Sequence, residues 1–135
     1  MILKTNQSFG NFCEKCFKKY TNIQQKWCKS CQINYLKENF TNWTSGNKKI
    51  DELIQEMQLK IDDYNDIVFE WIPYNQFDGI KEIGKGGFST VYLAKWKDGP
   101  LYWNKKEYVR DLNKPVALKF LHNSQSITNK FLNEV

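Results

Sequence analysis

The stretch Ile83-Gly84-Lys85-Gly86-Gly87-Phe88-Ser89-Thr90-Val91, followed after a gap by Val116-Ala117-Leu118-Lys119, decides how this chain is read. Apolar, partly β-branched residues at Ile80, Ile83, Val91 and Leu93 flank Gly84-Lys85-Gly86-Gly87, the pattern of two antiparallel strands joined by a tight turn. Glycines at the tip let the backbone take positive φ and come close to a ligand, so amide N–H groups can face phosphate oxygens. A bare hairpin turn satisfies the same pattern, because glycine-containing turns are common and most bind nothing.

Lys119 shifts that balance. It sits in the short apolar run Val116-Ala117-Leu118-Lys119-Phe120-Leu121, where a charge without a partner is an odd choice. A lysine on an edge strand, placed there to discourage aggregation, is the competing reading. With a glycine loop upstream and Glu134 fifteen residues downstream, the ligand-facing reading is preferred. Ser124 or Ser126 can cap a helix whose residues Ile127, Phe131, Leu132 and Val135 fall on one face, and that helix would carry Glu134. An exposed helix carboxylate is the alternative for Glu134.

These two motifs resemble the G-x-G-x-x-G-x-V loop and the V-A-I-K strand of protein kinases. The resemblance covers about residues 77–135. It implies that Gly84, Lys85, Gly86 and Gly87 cradle the phosphates of ATP with Phe88 at the loop tip. It also implies that Ile83, Val91 and Ala117 enclose the adenine, and that Lys119 holds the α- and β-phosphates while Glu134 aligns it. Ser89 departs from the pattern by standing where the third glycine is usual. The connection from Lys97 to Lys114 is also long. Asp98-Gly99-Pro100 signals a turn there, and Leu101, Tyr102, Trp103, Tyr108, Val109 and Leu112 are expected to extend a hairpin and pack on the lobe. Transfer would need a catalytic-loop Asp and Asn and a DFG Asp for Mg²⁺. None follows Glu134, and the one histidine, His122, directly follows the lysine strand, so this chain is expected to be a kinase fragment without activity of its own.

The four cysteines form two C-x-x-C pairs, Cys13 with Cys16 and Cys28 with Cys31, with eleven residues between the pairs. Two such pairs, placed on two turns, can bring four thiolates to one tetrahedral Zn²⁺ whose binding folds a segment poor in apolar residues. Disulfides are the rival. Lys4 and the polar residues of the first ten positions leave no apolar signal-peptide core, and no stretch is long enough to span a membrane, so an intracellular, cytoplasmic chain holding zinc is expected.

Charge is uneven: residues 1–49 carry nine lysines against Glu14 and Glu38, while the chain as a whole is only +5. A basic zinc segment with Phe12, Phe17, Tyr20, Trp27 and Tyr35 can engage nucleic acid, although aromatics packed round a metal and lysines that solubilise a small module are the favoured reading. Next, Ile50, Leu53, Ile54, Met57, Ile61 and Tyr64 follow one helical face, with Asn47 or Ser45 as cap and Glu56–Lys60 as a surface pair. The run from Ile67 to Phe77, broken by Pro73, reads as an anchoring segment.

The expected architecture is α+β: a Cys₄ zinc module at 1–46, an amphipathic helix and linker at 47–76, and an antiparallel β-sheet N-lobe of a protein kinase at 77–135. The layout resembles the tyrosine-kinase-like group of large fungal expansions. It implies ATP and Mg²⁺ as cofactors beside the Zn²⁺ expected at the cysteines, and a protein substrate for the full-length form; apolar surface left open on a lone first lobe, at Ile127 and Phe131, implies a protein partner. The competing reading is a non-catalytic zinc-containing interaction protein, a pseudokinase-like remnant.

Overall fold

The computed structural model describes residues 9–122. Its elements in chain order are α1 (Lys29–Glu38), α2 (Lys48–Leu59), β1 (Phe77–Lys85), β2 (Ser89–Trp96), β3 (Leu101–Trp103), β4 (Tyr108–Arg110) and β5 (Lys114–Leu121). The class is therefore α+β, with two helices and small antiparallel sheets. Among the described residues no helix is long and apolar enough to cross a membrane. The proposed lysine-aligning helix and Glu134 lie outside the described residues. Contacts gather the described residues into two units: those up to Glu70 together with Tyr102–Val109, and Trp71–Leu101 together with those from Arg110 to His122.

The first unit is built on one enclosed tryptophan. Trp27 is fully buried, and its indole N–H donates to the Tyr108 hydroxyl at 3.1 Å. Trp103 donates its own indole N–H to the Gln25 carbonyl at 2.7 Å. The Tyr108 ring meets Trp103 edge-on at 5.2 Å and lies alongside Tyr35 at 6.5 Å. Burying an indole leaves a donor that must find an acceptor, and the β3–β4 hairpin supplies it. The expectation that this insertion packs on the sheet is thus corrected: Tyr102–Val109 belong to the cysteine-bearing unit.

Helix α2 begins where its capping residues dictate. The Asn47 side chain accepts from the amides of Lys49 and Ile50 at 2.9 and 3.2 Å, and Asp51 accepts from the Thr44 and Ser45 hydroxyls. Those hydroxyls hold the Asp51 carboxyl below its ordinary pKa. The helix ends at Leu59, short of Ile61 and Tyr64, although Ile61 is buried beyond it. The surface pair found at helical spacing is Lys48–Glu52, not Glu56–Lys60. Buried Gln58 donates to the Phe69 carbonyl at 2.7 Å, beside buried Val68. Ile67, Phe69, Trp71 and Tyr74 are exposed, so the anchoring expected of this segment falls to few residues.

The second unit is a three-stranded antiparallel sheet of order β1-β2-β5. Strand β2 alternates as a half-covered strand should: Thr90, Ala94 and Trp96 are buried on one face, while Leu93 on the other is exposed. At the end of β2, Gly99 has φ +71° and no room for a side chain, since an added Cβ would stand 1.7 Å from the Asp111 carbonyl oxygen. The turn at Asp98-Gly99-Pro100 is therefore closed by backbone. Arg110 donates to the Gly99 carbonyl at 2.9 Å and lies 5.9 Å from the Trp96 ring centre.

Two substitutions check this account. Gly99→Ala meets both the left-handed backbone and the Asp111 carbonyl, and is expected to cost at least about 2 kcal/mol in chemical denaturation. Tyr108→Phe strands the Trp27 donor and is expected to cost about 1–3 kcal/mol, read by tryptophan fluorescence. A Tyr108→Phe protein as stable as the parent would remove this bond from the core.

Candidate metal centre and glycine hairpin

The cysteine ligands are delivered by two different local structures. Cys13 and Cys16 sit in a short knuckle: the Cys13 amide donates to the Lys18 carbonyl at 2.7 Å, and the Phe17 amide donates to the Cys13 carbonyl at 2.8 Å. Phe17 closes it with φ 61°, a conformation that glycine would adopt without strain. A second hairpin pairs Asn22 with Trp27 and leads directly into α1. Cys28 is the residue before the helix and Cys31 lies in its first turn, so only the first pair occupies a turn of the kind expected. The cap is given by Thr21, whose hydroxyl accepts from the Lys29 amide at 3.0 Å.

All four sulfurs lie within 4.8 Å of one another, with Cys13–Cys31 at 3.7 Å and Cys16–Cys28 at 3.5 Å. A disulfide would bring a pair to about 2.0 Å. A tetrahedron with Zn–S bonds of about 2.3 Å has edges near 3.8 Å, so the donor set fits a tetrahedral metal such as zinc. The thiols are unequal. The Lys18 backbone amide, with neighbouring thiols, pulls the Cys16 pKa down to about 7. Burial pushes Cys28 and Cys31 up. Crowded, partly buried thiols resist ionising together, and a divalent cation at their centre reverses that preference. The helix N-terminus beneath Cys28 and Cys31 also favours thiolate.

The glycine hairpin lies in the second unit. Lys85 pairs with Thr90, and the Gly86 amide donates to the Ser89 carbonyl at 2.8 Å, leaving Gly87 and Phe88 at the tip. Phe88 is 79% exposed. None of Gly84, Gly86 and Gly87 has positive φ, which corrects the expected reason for glycine there. Nor does packing demand it: a Cβ would meet nothing within 4 Å at Gly84 or Gly87, and only the Ser89 carbonyl at 3.8 Å at Gly86. Ile83 sits at a register shift between Glu82 and Gly84 and is exposed.

Register with β5 pairs Val91 with Lys119 and Leu93 with Ala117, so these four side chains share one sheet face. Lys119, in an apolar run where a covered charge facing a ligand was preferred, is exposed on a strand at the sheet edge and makes no ion pair among the described residues. Its alternating neighbours Val116 and Leu118 are half-buried on the opposite face.

His122, which sequence reasoning dismissed, lies against this loop. Its amide donates to the Phe88 carbonyl at 2.9 Å; its ring nitrogens lie 2.7 Å from the Thr90 hydroxyl and 3.3 Å from the Gly87 carbonyl. Comparison with protein-family models, with curated proteins and with solved structures gives no match.

Metal analysis of protein purified without chelator should give about one zinc per chain, and less than half an equivalent would contradict the Cys₄ assignment. Since burial holds the Cys28 and Cys31 thiols above their ordinary pKa, zinc uptake should release protons, and affinity should fall as pH falls. Calorimetry in two buffers of different ionisation enthalpy reads this directly.

Proposed function

We propose that this chain is the ATP-binding, N-terminal part of a protein kinase, preceded by a zinc-stabilised module. One observation carries the reading: the β2–β5 register gathers Val91, Leu93, Ala117 and Lys119 on one face behind the glycine hairpin. In this reading the amides of Gly84, Lys85, Gly86 and Gly87 take the phosphates, with Phe88 and Ser89 at the tip. Ile83, Val91 and Ala117 flank the adenine, Lys119 neutralises the α- and β-phosphates, and Glu134 orients Lys119. Three glycines with no conformational or packing need inside the chain fit a backbone kept bare for a ligand's approach.

Mg²⁺ would bridge phosphate oxygens, held by groups this sequence does not contain, so the property assigned to the chain is nucleotide binding rather than turnover. The protein substrate and the partner over the open sheet face belong to the full-length form.

The exposure of Lys119 on an edge strand favours a second reading, in which that charge only guards the edge and the chain is a non-catalytic zinc-containing interaction protein. Titration of the zinc-loaded protein with Mg-ATP separates the two. Saturable binding that Lys119→Met weakens about tenfold or more supports the kinase reading. Absence of binding, or binding that Lys119→Met leaves unchanged, supports the other.

A further inference from the structure

The nucleotide reading leaves His122 without a part, although this residue, the chain's single histidine, lies against the glycine hairpin. The hairpin is closed at its base by the Gly86 amide and the Ser89 carbonyl. Beyond that bond, the carbonyls of Gly87 and Phe88 are both met by His122. Its backbone amide donates to the Phe88 carbonyl at 2.9 Å, and its ring Nδ1 lies 3.3 Å from the Gly87 carbonyl. Any residue but proline would supply the amide, which continues the β2–β5 ladder past the Ser89–Leu121 pair. The ring contact is the part that depends on histidine.

The ring is anchored from its other side. Thr90 is only 5% exposed, and its hydroxyl stands 2.7 Å from Nε2 of His122. A buried hydroxyl requires a partner, and the ring meets that need. The two contacts together fix the tautomer. A carbonyl only accepts, so Nδ1 carries the proton, and Nε2 of the neutral ring then accepts from the Thr90 hydroxyl. An exposed histidine is thereby held as a bridge from a buried strand residue to the loop tip.

A tip of this composition gains from such a hold. Gly86 and Gly87 have no side chains with which to pack, and a Cβ at Gly87 would find nothing within 4 Å. Glycine loses more conformational freedom on ordering than any other residue. A loop that must settle round a ligand binds it more weakly than one already settled.

We propose that His122 is the positioning residue of the glycine hairpin: its ring clasps Gly87 to Thr90 and keeps the tip in the form that receives a nucleotide's phosphates. That role rests on nucleotide binding at the hairpin, as proposed above.

Heteronuclear NMR of the zinc-loaded full chain follows the one imidazole together with the Gly87 and Phe88 amides, and calorimetry gives the affinity for Mg-ATP. In mildly alkaline buffer, where imidazole is neutral, the ring is expected as the Nδ1–H tautomer and both tip amides as rigid as those of β2. His122→Ala should set the tip amides in fast motion and weaken Mg-ATP binding about threefold to tenfold. His122→Asn places a side-chain N–H close to the position of Nδ1 and should restore both properties. The clasp is overturned by an Nε2–H ring, by tip amides as rigid in His122→Ala as in the parent, or by an asparagine variant no better than the alanine one. A parent that binds no Mg-ATP overturns the nucleotide reading and the clasp's role with it. A parent that binds Mg-ATP no more tightly than His122→Ala does overturns the clasp alone.

Discussion

Four sulfurs drawn to within 4.8 Å of one another are the constraint on which the first unit depends. As thiols they present poor hydrogen-bonding groups in a crowded space, and as thiolates they repel. A tetrahedral divalent cation resolves both problems, and structural zinc sites of this kind return about 10–16 kcal/mol at neutral pH. That exceeds what a segment of this size obtains from its core, in which Trp27, Leu36 and Ile54 are among few enclosed apolar side chains. Phe17 keeps positive φ in the knuckle directly after Cys16.

The core around that centre is completed from far along the chain. Trp27 and Tyr108 are separated by eighty-one positions, yet the first donates to the second. A hairpin tip inserted between two strands of the sheet thereby serves the cysteine unit, both as hydrogen-bond acceptor and as aromatic cover. The same tip carries Trp103, whose indole N–H donates to the Gln25 carbonyl. An insertion without an evident purpose in the sheet gains one in the other unit.

Local patterns were legible in the sequence and long-range ones were not. The C-x-x-C spacing announced a cluster of four sulfurs that could hold a metal ion, because ligand pairing is a matter of two or three residues. Asn47 announced α2, and Gly84 to Val91 announced a hairpin, since caps and turns are local chemistry. The start of α1 was hidden, because Cys28 occupies the cap position while Thr21, eight residues from Lys29, supplies the oxygen. The setting of Lys119 was misjudged: a short apolar run does not tell which face of a strand is covered, or whether the strand ends a sheet. His122 carried no sequence signal, since what distinguishes it is what surrounds it in space.

Four sulfurs placed to hold one metal ion define a ligand shell that can be counted. X-ray absorption at the zinc edge of the purified protein should give four sulfur scatterers at about 2.3 Å and no nitrogen or oxygen in the shell. A shell with two or fewer sulfurs, or sulfur pairs at the bond length of a disulfide, would contradict it.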